Sequence, residues 1–442
     1  MDIINSSTAI QKYQSRPVSA SDRISSLDII RGVALLGILM INIEIFSTPW
    51  EYIVNPSLTN DFEGFNKIVW FIKKYLFEAK MWSLFSMLFG AGAYLLISRA
   101  EEKGNGSVIA DIYYRRLIFL LLFGLLHAYL IWSGDILYIY AVVGLFLYPL
   151  RKIPLRWMIA LILALFVINM TLCLITYRND RLLYQEILKI ETVARNGIEL
   201  TKKQQEKLNQ WEATESSVVP DPAVIRENIK VMSKGSYLKV RQEEKKWVYY
   251  MHTELMYNRV FLMTLIMMLL GMTLMKYGVL SASLSKEFYI RILLISYPVG
   301  FILVYLRTHH LIKHGFDLLS TDVDSIVRNL ERIAISLGHI GLICLFTKAG
   351  ILGWLKKSLA AVGRMAFSNY IMQSVICSLI FFGYGWGLYG KMNLAQQLWV
   401  VGVIWFIQLI VSPIWLKYFR FGPLEWVWRS LTYLKKQPFR NE

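Results

Sequence analysis

Residues 29–46 read IIRGVALLGILMINIEIF, an apolar run about as long as a helix needs to cross a membrane. A hydrocarbon core of roughly 30 Å takes about 20 residues of α-helix. Such a segment must be helical, because no water is present in the core to satisfy its backbone polar groups. Further runs of this kind lie at residues 82–97, 117–133, 136–150, 157–177, 260–275, 290–306, 333–347, 365–382 and 398–416. The sequence therefore predicts an all-α, polytopic integral membrane bundle of about ten transmembrane helices.

The composition supports this prediction and indicates what the basic residues do. Of 442 residues, 55% are hydrophobic and only 18% are charged, and the formal net charge is +17. The lysines and arginines gather at the ends of the apolar runs, as expected where positive residues flank membrane helices on the cytoplasmic side. We therefore expect the lipid bilayer as the partner of these segments and no nucleic acid.

An even number of spans places both termini on one side, and the basic short loops assign that side to the cytoplasm. The predicted organisation is a cytoplasmic basic tail (1–28), a first membrane block of about five helices (29–177), an extracytoplasmic polar insert (178–255), a second block of about five helices (256–418) and a basic tail (419–442). The insert is also rich in lysine and arginine, but long loops translocate largely regardless of charge.

The cysteine and histidine patterns predict no metal site. The three cysteines lie far apart within apolar runs, which is typical of small core residues. His310 and His314 have the i, i+4 spacing of a helical metal pair, but no cysteine is near and Gly315 indicates that the helix ends there. His339 lies between two glycines, and we interpret it first as a packing residue.

Strongly polar groups inside membrane spans are expensive, and here they mark candidate catalytic positions. Asn42 lies in the first run, His127 in the third, and Asp135 at the turn after it. Asn42 and His127 each follow a basic anchor, Arg31 and Arg116 respectively, by a length of helix of roughly 16 Å. Two polar groups at equal depth on parallel helices can face a shared cavity, or can simply hold neighbouring helices together.

Several segments resemble the YeiB-like family, a group of bacterial membrane proteins defined by a domain of unknown function. They are SLDIIRGVALLGILMIN (26–42), LFSMLFGAG (84–92), His127 with WSGDIL (132–137), GRMA (363–366) with the Asn-Tyr and Gln-Ser pairs that follow it, GLYG (387–390), and FGPLEWVWRSLTY (421–433). The resemblance covers most of the chain except the insert. It implies a shared membrane fold and a location in the bacterial plasma (inner) membrane.

The first segment also resembles, more distantly, the first helix of membrane acyltransferases. Heparan-alpha-glucosaminide N-acetyltransferase has an Arg-Gly-(Ile/Val)-Ala helix with asparagine at the position of Asn42. Type-3 sugar O-acyltransferases have histidine there, so the role of that histidine is not carried onto Asn42. The resemblance implies acyl transfer from a cytoplasmic acyl-CoA, such as acetyl-CoA, to an extracytoplasmic hydroxyl or amine.

Under this hypothesis the candidate residues take separate roles. His127 is the general base, Asp135 orients the acceptor, and Asn42 donates a hydrogen bond to the developing oxyanion. The predicted contacts to the phosphates of CoA come from three arginines near the inner surface: Arg31, Arg116 and Arg364. Arg31 also has Asp28 three residues before it, so an intrahelical ion pair is an equally good interpretation.

Two other classes of function stay open from the sequence. Intramembrane polar residues and glycine-rich helices also fit a transporter or channel for a small solute. A non-enzymatic membrane protein that anchors a complex is the third alternative. For the acyltransferase hypothesis the expected acceptor is a glycan or a small molecule, and the sequence leaves open whether the chain forms a homo-oligomer.

Overall fold

The computed structural model describes residues 24–59, 61–104, 106–215 and 221–441. Most of the predicted N-terminal tail lies outside the described residues. The described chain is helical, without a β-strand element. Its helices are α1 (Ser25–Ser47), α2 (Trp50–Val54), α3 (Gly64–Ile72), α4 (Lys80–Glu102), α5 (Gly106–Leu130), α6 (Leu137–Gly144), α7 (Leu147–Leu150), α8 (Leu155–Arg195), α9 (Lys202–Glu215), α10 (Pro222–Lys234), α11 (Tyr237–Tyr250), α12 (Phe261–Lys276), α13 (Lys286–Lys313), α14 (Leu318–Lys348), α15 (Gly353–Arg364), α16 (Ala366–Phe381), α17 (Leu394–Tyr418) and α18 (Pro423–Thr432).

Within the described ranges, seven helical segments are long and apolar enough to cross a membrane. They are Ser25–Ser47, Gly64–Glu102, Leu155–Arg195, Tyr237–Lys276, Lys286–Lys313, Leu318–Lys348 and Leu394–Tyr418. The protein is thus a multi-pass helical membrane protein, as predicted. The remaining three predicted runs fall on α5, on the pair α6 and α7, and on the 16-residue apolar helix α16. The count of ten and the orientation are not confirmed and stay predictions.

The fourth predicted run differs most from expectation, because it folds as two short helices instead of one. Helix α6 has 8 residues and ends at Gly144, and α7 has 4 residues. Pro149 lies inside α7 and has no N–H to donate to the turn before it. At the end of α6 the carbonyl oxygen of Gly144 accepts a hydrogen bond of 2.7 Å from the hydroxyl of Tyr113 on α5.

The described part of the stretch predicted as a polar insert is mostly helical, and both of its ends continue into the helices of the membrane blocks. Helix α8 runs unbroken for 41 residues, well past residue 177. Helices α9 and α10 follow, and α11 continues through a π-helical segment (Met251–Val260) directly into α12. The two predicted boundaries of the insert therefore fall inside helical segments, and the side of the membrane on which this stretch lies stays a prediction.

Two helix crossings are close enough that glycine is required on both sides. A Cβ atom added to Gly32 of α1 would collide with the carbonyl oxygen of Leu359 on α15, and one on Gly363 would collide with that of Asp28. Gly90 of α4 and Gly271 of α12 are related in the same reciprocal way through Met268 and Met87. Small residues allow this approach, which gives membrane helices much of their packing energy.

Helix α1 lies at the centre of the bundle and packs against α4, α15, α16 and α17. Its middle is fully buried, with Leu35 and Leu39 both 0% exposed. Because the first crossing fixes α15 against the start of α1, the segments that carry Arg31 and Arg364 lie side by side.

Candidate functional site

His127 lies near the end of α5 and connects two other buried side chains. Its Nδ1 is 2.7 Å from Oδ1 of Asp135, and its Nε2 is 2.9 Å from Oγ of Ser374 on α16. All three are buried: His127 and Ser374 are 1% exposed and Asp135 is 2% exposed. We call these three residues the Ser–His–Asp relay.

The hydrogen-bond partners of Asp135 indicate which nitrogen of His127 carries a proton in the relay. The carboxylate of Asp135 accepts, and its second oxygen already takes the backbone N–H of Tyr138 at 2.7 Å. With Asp135 as the acceptor, Nδ1 of His127 carries a proton and Nε2 can accept from the hydroxyl of Ser374. The same hydroxyl lies 3.2 Å from the carbonyl oxygen of Tyr370, which is a second acceptor for its one proton. A hydroxyl donating to a histidine that a carboxylate orients is the arrangement that activates serine in acyl-transfer enzymes.

The loop that carries Asp135 is held in place from three sides. Glu244 of α11 accepts hydrogen bonds from the backbone N–H of Ser133 at 3.2 Å and from its hydroxyl at 3.1 Å. The hydroxyl of Tyr370 donates to the carbonyl oxygen of Gly134 at 3.1 Å. Trp132 is fully buried and stacks on Phe46 of α1, with 3.9 Å between ring centroids. The loop is thus fixed relative to α1, α11 and α16.

Asn42 is half-buried and is not joined to the relay. Its side chain makes no hydrogen bond to the described part of the chain, and the expected pairing with His127 is not present there. Asn42 lies one helical turn from Phe46, whose partner Trp132 has its ring centroid 6.3 Å from that of His127. The structure therefore places Asn42 near the relay without contact.

A cavity of about 310 Å³ lies between α1, α4, α5, α15, α16 and α18. The three arginines predicted to bind phosphate, Arg31, Arg116 and Arg364, all line it. Arg99 of α4 and Arg429 of α18 line it as well, and their part was not predicted. A sequence feature indicates each of them: Arg99 is at the basic end of an apolar run, and Arg429 is within the C-terminal family motif. We call this the arginine-lined cavity.

Two of these arginines have contacts that fix where the guanidinium lies. Arg31 donates to Asp28 at 2.9 Å, so the predicted intrahelical ion pair is present. The guanidinium carbon of Arg116 lies 3.9 Å from the ring centroid of Trp428, a cation–π distance. Both contacts leave the arginines as part of the cavity lining.

Glu425 has the one carboxyl group among the described lining residues, and this group caps helix α16. It accepts hydrogen bonds from the backbone N–H groups of Phe367 at 2.7 Å and Ser368 at 3.0 Å, in the first turn of α16. Burial raises the pKa of the Glu425 carboxyl, and the hydrogen bonds from Ser368 and Phe367 oppose that rise. Because the carboxyl group of Glu425 caps α16, it compensates little of the positive charge of the five arginines in the same lining.

The other walls of the cavity are apolar and aromatic, and one of them reaches the relay. Ile136 and Tyr370 belong to the lining, whereas His127 does not. The ring centroid of Tyr370 is 5.1 Å from that of His127, and Ile136 directly follows Asp135. The relay thus lies one side chain beyond the cavity, and Tyr370 separates the two.

Ser374 is the member of the relay that was not among the site residues predicted from the sequence. It belongs to the Gln-Ser pair of the family motif, but no spacing rule connects it to His127, which is 247 residues away in the chain. The other histidines have different surroundings. His339 bonds to the hydroxyl of Tyr297 at 2.8 Å and to the carbonyl oxygen of Leu76 at 2.9 Å. In the described chain no group of three or more His, Cys, Asp or Glu residues is placed to hold a metal ion.

Comparison with known proteins gives the chain its family. The model of the family described as "Protein of unknown function (DUF418)" matches residues 274–435. The uncharacterized protein YxaH of Bacillus subtilis (strain 168) is 30% identical over 97% of this chain and 98% of its own. The uncharacterized protein YeiB of Escherichia coli (strain K12) is 28% identical over 93% of this chain and 96% of its own. The chain belongs to the DUF418 family of YeiB-like proteins, as its motifs indicated.

Proposed function

We propose that this protein transfers an acyl group across the membrane, from a cytoplasmic acyl-CoA to a hydroxyl or amine on the other side. The observation that carries the proposal is the arginine-lined cavity, which has guanidinium groups on one wall and the neighbour of His127 on another. An acyl-CoA carries phosphates at one end and an acyl thioester at the other. Its phosphates would lie against the arginines while its thioester lies near the neighbour of His127.

The arginines would bind the phosphates of the donor. Guanidinium groups form paired hydrogen bonds to phosphate oxygens and keep their charge when buried. An adjoining cavity of about 150 Å³ shares Arg31, Arg99, Arg364 and Arg429 and adds Arg420, so the basic lining extends beyond a single phosphate. The aromatic walls suit the less polar remainder of the donor.

The relay would perform the transfer in two steps. His127 takes the proton of Ser374 as its Oγ attacks the thioester carbonyl carbon, and the protonated imidazole returns that proton to the departing CoA thiolate. The product is an acyl ester of Ser374. The acceptor then attacks the ester, His127 takes the acceptor's proton, and the proton passes to Ser374 as its oxygen leaves.

The remaining predicted residues support these steps in the proposal. Asp135 keeps Nδ1 of His127 protonated, so that Nε2 can act as the base. Asn42 keeps its predicted role as the donor to the oxyanion, since its amide is uncommitted among the described residues. The side chain of Tyr370 must move for the thioester to reach Ser374, because it separates the relay from the cavity.

The experiment is acyl labelling of the full-length protein in lipid nanodiscs with radiolabelled acetyl-CoA. We expect a hydroxylamine-sensitive label on the wild type and none on Ser374→Ala or His127→Ala. Ser378→Ala is the matched control, because Ser378 is one turn along α16, is also buried, and bonds to the carbonyl oxygen of Ile131 and to Tyr384 instead of to the relay. It should label like the wild type.

Two results would overturn the proposal. One is a label that persists in Ser374→Ala at the wild-type level. The other is a wild type that takes up no label and transfers no acetyl group to any added hydroxyl or amine. Thermal unfolding of each variant shows that it is folded, so that loss of label reports chemistry.

A further inference from the structure

A second cavity, of about 330 Å³, lies at the other end of α1. Glu44 and Thr48 of α1 line it, together with α2, the start of α3 and the first turn of α17. Glu44 is roughly 20 Å along the helix from Arg31, so the two cavities are at opposite ends of a membrane-spanning helix. None of the described lining residues belongs to the relay or to the arginine-lined cavity.

The amide groups in this cavity are fixed before any ligand binds. Asn393 and Gln396 form a capping box at the start of α17: the side-chain oxygen of each accepts the backbone N–H of the other, at 2.9 and 3.0 Å. Both carbonyl oxygens are used in this way, and both NH₂ groups make no hydrogen bond to the described residues. The hydroxyl of Tyr52 is likewise uncommitted there, and the indole N–H of Trp70 is buried without a partner. The cavity therefore presents several oriented donors.

The charges of the lining are small and nearly balanced. Glu44 pairs with Lys73 at 2.6 Å through one carboxylate oxygen, and its other oxygen is left as an acceptor. Asp61 and Lys391, the other charged lining residues described, have opposite signs. Where the arginine-lined cavity carries five guanidinium groups, this one combines donors and acceptors with little net charge. This lining suits a ligand that both donates and accepts hydrogen bonds and carries little net charge.

We infer that this cavity binds a neutral polyhydroxylated ligand, a saccharide or sugar alcohol, on the membrane side opposite the arginine-lined cavity. Each hydroxyl of such a ligand donates one hydrogen bond and accepts two, which matches amide and phenol donors beside carboxylate acceptors. The aromatic lining residues Tyr52 and Phe62 supply apolar contact for the carbon-bound faces of a sugar ring. The inference does not depend on acyl transfer.

The test is binding of a panel of neutral saccharides to the full-length protein in nanodiscs, measured by saturation-transfer NMR. The panel contains glucose, N-acetylglucosamine, maltose and glycerol. We expect at least one saccharide to bind, and Tyr52→Phe to weaken its binding roughly two- to tenfold, the value of one neutral hydrogen bond. Tyr418→Phe is the control, because Tyr418 is an exposed tyrosine at the far end of α17.

Three results would overturn the inference. The first is no saccharide signal above that of an empty nanodisc. The second is binding that Tyr52→Phe and Tyr418→Phe affect equally. The third is glucose 6-phosphate binding that is tighter than glucose binding and that Tyr52→Phe weakens, since that would place a site for an anion in this cavity and not in the arginine-lined one. Unfolding of Tyr52→Phe at the wild-type temperature would confirm that its loss of binding is local.

Discussion

Two regions of this protein concentrate charged side chains inside the bundle, and they differ in how far opposite charges within the chain compensate them. In the first, Arg307 of α13 is fully buried and lies within 2.9 Å of Glu331 and 2.7 Å of Glu78. Lys80 is also fully buried and pairs with Glu331 at 2.6 Å. With Asp324, which pairs with Arg307 at 2.5 Å, these residues form what we call the buried ion cluster.

The second region is the arginine-lined cavity, where five arginines share a described lining with one glutamate. In the buried ion cluster each of these charges has an opposite charge within the fold. In the cavity the described lining holds more arginines than carboxylates, although Asp28 pairs with Arg31, and this excess suits the phosphates of the proposed donor. Buried charge alone therefore does not mark a binding site, and the proposed donor site rests on the excess of one sign around a cavity.

The largest effect is expected in the buried ion cluster. Glu331→Gln leaves Arg307 and Lys80 without their shared carboxylate, and we expect the free energy of unfolding to fall by about 3–5 kcal/mol. Denaturant titration in micelles measures it. The control is Glu243→Gln, which breaks an exposed pair with Lys246 and should cost about 0.5 kcal/mol or less. Equal losses in the two variants would contradict the account of the cluster.

The next effect concerns the crossing that places Arg31 beside Arg364. A methyl group on Gly363 collides with the backbone of α1, so Gly363→Ala should cost about 1–3 kcal/mol and should also weaken acetyl-CoA binding. Gly92→Ala is the control, because Gly92 lines the same cavity and its added Cβ meets nothing within 4 Å. If Gly363→Ala binds as tightly as Gly92→Ala, the crossing does not organise the site.

Replacing one arginine of the arginine-lined cavity should weaken ligand binding strongly and change the stability of the fold little. Arg116→Gln removes a charge-assisted hydrogen bond to phosphate and should weaken acetyl-CoA binding roughly 10- to 100-fold. Its stability should change by about 1 kcal/mol or less, since the folded state loses mainly the contact with Trp428. Arg156→Gln is the control, because Arg156 is an exposed arginine beside Trp157. Calorimetry measures the affinities, and equal affinities would refute the role of Arg116.

The smallest effect is a pH dependence from Glu425. Burial raises its pKa, so the folded protein binds this proton more tightly than the unfolded chain does. Stability should therefore fall as the pH rises just above about 4.3, the ordinary pKa of glutamate. Glu425→Gln should show a flatter profile of unfolding temperature against pH, while the exposed Glu227→Gln should follow the wild type. A wild-type stability that rises relative to that of Glu425→Gln through this range would have the wrong sign.

The sequence predicts the helices well because their apolar runs are long and nearly free of charge. It predicts less where a tertiary contact competes with hydropathy. The run at residues 136–150 is apolar throughout, yet Pro149 and the bond from Tyr113 to Gly144 divide it. At residue 177 composition changes from apolar to polar, but helix α8 continues because polar residues propagate a helix equally well.

The sequence predicts the residues of the candidate site that are marked by their local position. It does not predict the contacts that form between segments distant in the chain. Arg31, Arg116 and Arg364 follow from their place at the basic ends of apolar runs. His127 and Asp135 are eight residues apart, so a short turn can join them. Ser374 reaches His127 from α16, and the second cavity combines α1 with the start of α17, so both depend on packing that no local pattern encodes.

The most direct test of the central claim is a structure of the protein solved with acetyl-CoA bound. We predict phosphate density against Arg31, Arg116 and Arg364, with the thioester directed towards Tyr370 and Ser374. Density for the donor at another place, or a fully occupied cavity whose ligand has no phosphate near these arginines, would contradict it.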